Sequence, residues 1–177
     1  EVFAKWQVKW RRDGWRIEHV ERSIQPEPNG SDPPSFQVED VSVWLHGRLD
    51  RVDRNETTGA WVIFDYKSGD RGDSPEASHR KKGDWIDLQL PLYRHLARSL
   101  ALPDEPRLGY INLPKDLAGI GAVFAEWSAS DLADADERAK QIAQSVARRE
   151  FWPMKKLPPG QFREFDDICQ VGVFGTE

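Results

Sequence analysis

Two runs decide the reading of this chain: Gly47-Arg48-Leu49-Asp50-Arg51-Val52-Asp53 and, after a turn, Trp61-Val62-Ile63-Phe64-Asp65-Tyr66-Lys67. The second is a strand by composition, with aromatic and β-branched residues following a turn of Asn55, Glu56, Thr57, Thr58 and Gly59. Alternation places Val62, Phe64 and Tyr66 on one face and Trp61, Ile63, Asp65 and Lys67 on the other. The carboxylate of Asp65 and the amine of Lys67 therefore point into one small volume. Asp50 falls near the end of the preceding strand, and a hairpin joining the two strands brings it beside Asp65. Gly47 is read as relieving crowding close to Asp50. Two carboxylates and a lysine about one point suit a hard divalent cation with a positioned water. The same set also forms structural ion pairs, and the residue types alone leave both readings open.

Outward from this centre, the chain reads as strands, helix, strands, helix. Residues 1–12 place Trp6 and Trp10 four apart among basic residues, as on a short helix or a loose entry segment. Residues 15–24 alternate as a strand holding Glu18 and Glu21, and Gln25 to Pro34 is a loop rich in Pro, Asn, Gly, Ser and Asp. Residues 35–52 give a strand, interrupted near Glu39-Asp40. Residues 70–82 are polar and read as a mobile surface loop. Residues 84–101 carry apolar side chains near helical spacing, with a kink expected at Pro91. A turn at Pro103–Pro106 leads to strands at 108–113 and 122–127. Ser130 and Asp131 are expected to cap a helix running to about Arg149. The tail from Phe151 is Pro-rich and reads as irregular packing. The fold class is α/β with a central mixed sheet flanked by helices.

Composition narrows the function classes. The 177 residues suit one domain, 1–177, able to bury a sizeable core. Hydrophobic residues make up 38% and charged residues 31%, with no run long enough to span a membrane, so a soluble cytoplasmic protein is expected. Lys5, Lys9, Arg11 and Arg12 interrupt the first apolar residues, unlike a signal peptide. The net charge of −5 argues against a protein that coats nucleic acid non-specifically, but leaves room for a local basic groove. The eight tryptophans read mainly as packing residues. The single cysteine, Cys169, cannot form an internal disulfide and fits a reducing compartment. It reads best as a small buried side chain.

The two runs, followed by Asp65-Tyr66-Lys67-Ser68-Gly69 and then Gln89-Leu90-Pro91-Leu92-Tyr93, resemble the RecB-type branch of the PD-(D/E)XK nucleases. That branch includes the nuclease domains of RecBCD and AddAB helicase–nucleases and Cas4-like exonucleases. Gln89 and Tyr93 match its Gln-x-x-x-Tyr motif, and the three matches run from 47 to 93 in the expected order. The resemblance implies a restriction-endonuclease-like core and a Mg²⁺- or Mn²⁺-dependent deoxyribonuclease, exonuclease-like, acting in DNA end processing or recombinational repair. A non-cleaving DNA-binding or scaffold module of a helicase–nuclease complex is the alternative.

By the same resemblance, Asp50 and Asp65 are metal ligands, joined by the backbone carbonyl of Tyr66. Lys67 positions or helps deprotonate the attacking water and steadies charge on the phosphate. Gln89 and Tyr93 brace the site or touch the DNA strand; helix–sheet packing is the plainer role for both. His79-Arg80-Lys81-Lys82, with Arg71 nearby, reads either as a contact to DNA phosphates through Arg80, Lys81 and Lys82 or as a solvated loop.

Two departures from the branch stand out. The branch usually carries a further acidic or histidine ligand on a helix upstream of the strands. The candidates before Asp50 are Glu18, His19, Glu21 and His46, and none matches well; an upstream helix missing before Glu1 is the expectation. Some relatives also carry a four-cysteine iron–sulfur cluster, which Cys169 alone cannot hold, so none is expected. The partners implied are DNA and a helicase domain or subunit, in a cytoplasmic, bacterial-type setting at the nucleoid, with no membrane.

Overall fold

The computed structural model describes residues 1–25, 34–100, 102 and 106–150. Cys169 and the tail lie outside the described residues, as do most of the loop 25–34 and most of the turn 103–106. The chain divides into a compact unit, Glu1–Gln144, and a second unit, Ser145–Glu177, of which only the first residues are described. The account below concerns the first unit.

Helix α1 (Val2–Arg12) opens the chain. Phe3, Trp6 and Trp10 share a face because they are three and four apart, and their rings stack in series onto Trp15 at 5.7, 5.4 and 4.5 Å. Strand β1 (Trp15–Ile24) follows, then the small hairpin β2 (Ser35–Val38) and β3 (Val41–Trp44), then β4 (Gly47–Asn55) and β5 (Trp61–Lys67). The single strand expected over 35–52 is thus three strands. The chain turns at Glu39, whose φ of 51° lies in the left-handed region, and the β2–β3 pair forms a sheet of its own.

The main sheet has five strands in the order β1-β4-β5-β8-β9, where β8 is Arg107–Asn112 and β9 is Gly121–Phe124. All neighbours are antiparallel except β5 and β8, which run parallel. A parallel pair needs a crossover, and helix α3 (Gln89–Ala97) lies within it. This is the mixed sheet expected from the strand–helix–strand order. The turn between β4 and β5 is closed by Asn55, whose Oδ1 accepts the N–H groups of Thr57 and Thr58, with Gly59 in the left-handed region.

The two faces of β5 separate as alternation requires. Val62, Phe64 and Ile111 pack with Trp6, Trp10 and Trp15 under α1. Ile63 joins Leu49, Val52, Leu90, Tyr93, Leu96 and Tyr110 under α3. Gly47 leaves space for this second layer: a Cβ there would stand 3.0 Å from Leu96 Cδ1. The room Gly47 provides therefore admits a helix side chain, where crowding near Asp50 had been expected.

Helix α3 begins at Gln89, later than the expected residue 84, because Asp84-Trp85 (β7) pairs with Arg80-Lys81 (β6). Pro91 falls in the first turn of α3, where no intrahelical bond awaits its nitrogen, so it sits in the helix without removing one. A short helix α2 (Pro75–His79) is capped by the Ser74 side chain. Asn112 exchanges two hydrogen bonds with the Asp73 backbone, at 3.1 and 2.8 Å. The segment 70–82, expected to be a mobile loop, is therefore anchored to the sheet through Asp73 and holds the capped helix α2. Helix α4 (Ala129–Ala147) starts one cap earlier than expected. Ser128 Oγ accepts the Asp131 N–H, and Asp131 accepts the Ser128 N–H, a reciprocal box.

Candidate active site

Pairing between β4 and β5 runs from Arg54↔Trp61 to Arg51↔Phe64. One further step of that register sets Asp50 opposite Asp65. There the ladder gives way to a side chain: Asp50 Oδ2 accepts the backbone N–H of Tyr66 at 3.1 Å. This bond fixes the Asp50 carboxylate against the strand that carries Asp65 and Lys67. The hairpin thus brings Asp50, Asp65 and Lys67 together, as their spacing requires.

Asp65 is buried, while Asp50 and Lys67 are half-buried and reach toward solvent. Lys67 Nζ lies 2.7 Å from Asp65 Oδ2 as an ion pair. No donor is aligned on that buried oxygen as a hydrogen bond. A buried carboxylate oxygen without an aligned donor is costly unless a positive group faces it. The oxygens of Asp50 and Asp65 form a hard donor set, and a small divalent cation commonly uses one or two carboxylates, filling its remaining positions with water and phosphate oxygens. The residues present fit such a cation. Among the described residues, no cluster of three His, Cys, Asp or Glu side chains is arranged to hold a metal without such help.

Helix α3 contributes the next layer. Gln89 Nε2 donates to the Tyr93 hydroxyl at 2.7 Å, and that hydroxyl reaches Asp65 Oδ1 in a long contact of 3.5 Å. Burial raises the Tyr93 pKa well above the usual phenol value, and the charges of Asp65 and Asp50 raise it further. Tyr93 is thus a neutral donor directed at the carboxylates, and Gln89 orients it.

Several groups around the site take roles that the motifs did not indicate. Tyr110 stands opposite Asp65 in the parallel register, and Lys67 Nζ lies 4.8 Å from the centre of its ring. His79, buried at the end of α2, meets the Tyr110 hydroxyl through Nε2 at 2.5 Å and the Asp87 backbone oxygen through Nδ1 at 2.9 Å. The edge of its ring packs on Trp127, 5.4 Å away. Burial lowers the His79 pKa, as does the Lys67 charge, while Asp87 opposes them. On the opposite face of the sheet, Arg51 and Asp53 form a fully buried pair. Asp53 accepts from Arg51 Nε, Arg51 Nη2 and Trp10 Nε1, and Arg51 also meets Gln7 and the Tyr66 hydroxyl.

The basic stretch divides. Arg80 is held within the protein: Nη1 pairs with Asp131 at 2.9 Å, Nη2 donates to the Gly83 carbonyl, and the guanidinium lies over Trp85. Lys81 and Lys82 are exposed on the β6–β7 turn. The upstream acids do not join the site. Glu18 is exposed on β1, Glu21 pairs with Arg48 at 2.8 Å, and His46 is exposed. Helix α1, which does lie upstream of the strands, contains no Asp, Glu or His between Val2 and Arg12.

A five-stranded mixed sheet flanked by helices, with two carboxylates and a lysine at the end of its central hairpin, defines a restriction-endonuclease-like fold. The family model of the PD-(D/E)XK nuclease superfamily matches residues 1–170, and the chain belongs to that superfamily. Its members are nucleases that typically use divalent metals such as Mg²⁺. No curated protein matches the chain. Among the described residues, no helix is long and apolar enough to cross a membrane.

Proposed function

We propose that this chain is a Mg²⁺- or Mn²⁺-dependent deoxyribonuclease domain of the RecB type, exonuclease-like, acting in DNA end processing or recombinational repair. A helicase domain or subunit is its natural companion, and the bacterial-type cytoplasm its setting. The observation that carries this reading is the meeting of Asp50, Asp65 and Lys67 at the end of the β4–β5 hairpin. The Gln89–Tyr93 pair, directed at Asp65, supports it.

Asp50 and Asp65, with the Tyr66 carbonyl, would hold the cation, which when bound neutralises phosphate charge and makes water easier to ionise. Lys67 extends from the Asp65 face to the surface, where its ammonium orients the attacking water and offsets charge building on the phosphate. Tyr93, kept protonated, steadies Asp65 by hydrogen bonding. Lys81 and Lys82 lie free to meet DNA phosphates. The expected products carry 5′-phosphate and 3′-hydroxyl ends.

A second reading, a nuclease fold that binds DNA without cutting it, is favoured by one observation: α1 supplies no acid or histidine, and no third ligand joins Asp50 and Asp65 among the described residues. Cleavage of end-labelled DNA with and without Mg²⁺ separates the two. Lys67→Ala is expected to lower the cleavage rate about 10²-fold or more, the scale of one positioned catalytic group. Equal rates for the chain and its Lys67→Ala variant would show the mechanism to be wrong. Binding without cleavage in any divalent metal would establish the second reading.

A further inference from the structure

The Lys67 ammonium has a support that the three sequence motifs do not contain. Its Nζ lies over the face of the Tyr110 ring, 4.8 Å from the centroid, where the ring's negative face attracts a cation. Tyr110 is almost fully buried and stands opposite Asp65 in the β5–β8 register. Its hydroxyl meets His79 Nε2 at 2.5 Å.

The directions of these bonds follow from the partners. The Asp87 backbone oxygen, 2.9 Å from His79 Nδ1, can only accept, so Nδ1 carries the proton. Asp87 Oδ1, 3.2 Å from the same nitrogen, is likewise an acceptor. In the neutral ring Nε2 is then a lone pair, and the Tyr110 hydroxyl donates to it. Asp87 Oδ1 also accepts the backbone N–H of Gln89 at 2.7 Å, at the first residue of α3. The chain of bonds is therefore continuous from the start of the Gln89–Tyr93 helix, through Asp87 and His79, to the ring beneath Lys67. Both polar atoms of a buried imidazole are engaged, and one end of that chain is the amine beside Asp65.

We infer that His79 and Tyr110 are positioning residues that hold the Lys67 ammonium beside Asp65, coupling it to the N-terminal end of α3. The catalytic consequence rests on the nuclease reading above; the positioning itself does not. With the His79–Tyr110 bond broken, the hydroxyl keeps only Ser78 as a side-chain partner, the buried ring is less firmly oriented and the lysine arm samples more positions. Loss of alignment at a reacting group lowers rate more than substrate affinity.

Two measurements on the full chain test this. The first is the NMR signal of the Lys67 Hε protons, which the Tyr110 ring current should displace upfield. Tyr110→Phe keeps the ring and removes only the hydroxyl. It is expected to reduce that displacement by half or more, and His79→Leu is expected to do the same. His79→Gln, whose amide oxygen can accept the Tyr110 proton, should restore part of it. An undiminished displacement in Tyr110→Phe overturns the proposal, whether or not the chain cleaves DNA.

The second measurement is cleavage of end-labelled DNA with Mg²⁺. Tyr110→Phe is expected to lower kcat about ten- to hundredfold at unchanged KM. In a Lys67→Ala background it should cause little further loss, because the effect passes through the lysine. A full-rate Tyr110→Phe variant, or an equal further loss without Lys67, overturns the proposal. If the parent does not cleave, the nuclease reading fails by itself and the NMR result still decides the positioning.

Discussion

Asp50 and Asp53 sit three residues apart on β4 in opposite surroundings, which makes their exchange for asparagine a sharp test of the proposed site. Asp53 is fully buried, and its two oxygens take three donors: Oδ1 accepts from Arg51 Nε at 2.7 Å, and Oδ2 accepts from Arg51 Nη2 and from Trp10 Nε1 at 2.7 Å. In Asp53→Asn one oxygen becomes an NH₂. The less costly orientation keeps the oxygen facing Nη2 and Trp10 and sets the NH₂ against Arg51 Nε, donor against donor. The Arg51 guanidinium remains charged, because arginine does not deprotonate in proteins, and it is itself fully buried. Burial pulls its pKa down, but the bonds and charge of Asp53 and Tyr66 more than restore it.

Removing one partner of such a pair costs about 3–5 kcal/mol, a drop of about 6–20 °C in melting temperature for a chain of this size. Urea and thermal unfolding of the Asp53→Asn variant measure this. Asp50, half-buried and bonded, among the described residues, to the Tyr66 N–H, should behave otherwise. Asp50→Asn is expected to abolish cleavage while leaving the melting temperature of the metal-free protein within about 2 °C, because a partly exposed polar site tolerates the change. If Asp53→Asn melts with the parent, or if Asp50→Asn is the less stable variant, the division of labour described here is refuted.

Three other outcomes are expected. Asp65→Asn should abolish the rise in melting temperature that saturating Mn²⁺ or Mg²⁺ gives the parent, about 2.7 kcal/mol at a hundredfold excess over Kd; an equal rise in the variant would remove Asp65 from the ligand set. Replacing Lys81 and Lys82 by alanine should reduce the salt slope of DNA binding by about one to two, whereas Arg80→Ala should chiefly lower stability through its lost contacts to Asp131 and Trp85; an unaltered slope would return both lysines to solvent. Burial lowers the pKa of His79, and Lys67 adds to this; burial also lowers that of His95, and Arg94 adds, while Asp87 and Asp136 oppose these shifts. Each histidine then binds more protons unfolded than folded, so its stability contribution is full above about pH 6.5 and is lost as pH falls. Melting curves from pH 7.5 to 5.5 should show a shallower decline in His95→Gln than in the parent, and identical slopes would contradict the assignment.

The parts of this molecule legible in the sequence are those whose geometry is local. Alternation in 61–67 separates Phe64 from Asp65 without reference to anything else, and the short Asn55–Gly59 turn sets Asp50 opposite Asp65. Gln89 and Tyr93 are one helical turn apart, so their pairing also follows from spacing. The misread segments are those whose conformation depends on partners that composition and periodicity do not reveal. Residues 70–82 carry few apolar side chains, so composition indicates a loop. What orders them is Asn112 on a strand almost forty positions later, and His79 is drawn inward by Tyr110. Residues 84–88 fit a helical pattern, but Asp84 and Trp85 pair with Lys81 and Arg80 in a tight hairpin, and those bonds override the periodicity.

Charge in a sequence is also silent about burial, and here burial sets the roles of neighbouring residues. Arg51 and Lys67 both look like basic residues flanking an acidic motif. One lies inside the sheet with its carboxylate three donors deep, and a change there acts on folding. The other spans from Tyr110 to the surface with its amine beside a buried oxygen that has no aligned donor. Asp65 needs positive charge near it in any state, since an isolated buried carboxylate is strongly disfavoured. Lys67 supplies that charge at 2.7 Å; on the proposed reading a cation held by Asp50 and Asp65 would share that task and leave the amine able to face water and phosphate as well. A lysine two residues after the buried acid thus serves the fold and, on the proposed reading, the chemistry as well. That dual service gives a physical reason for acid and amine to share one strand face at the end of this hairpin.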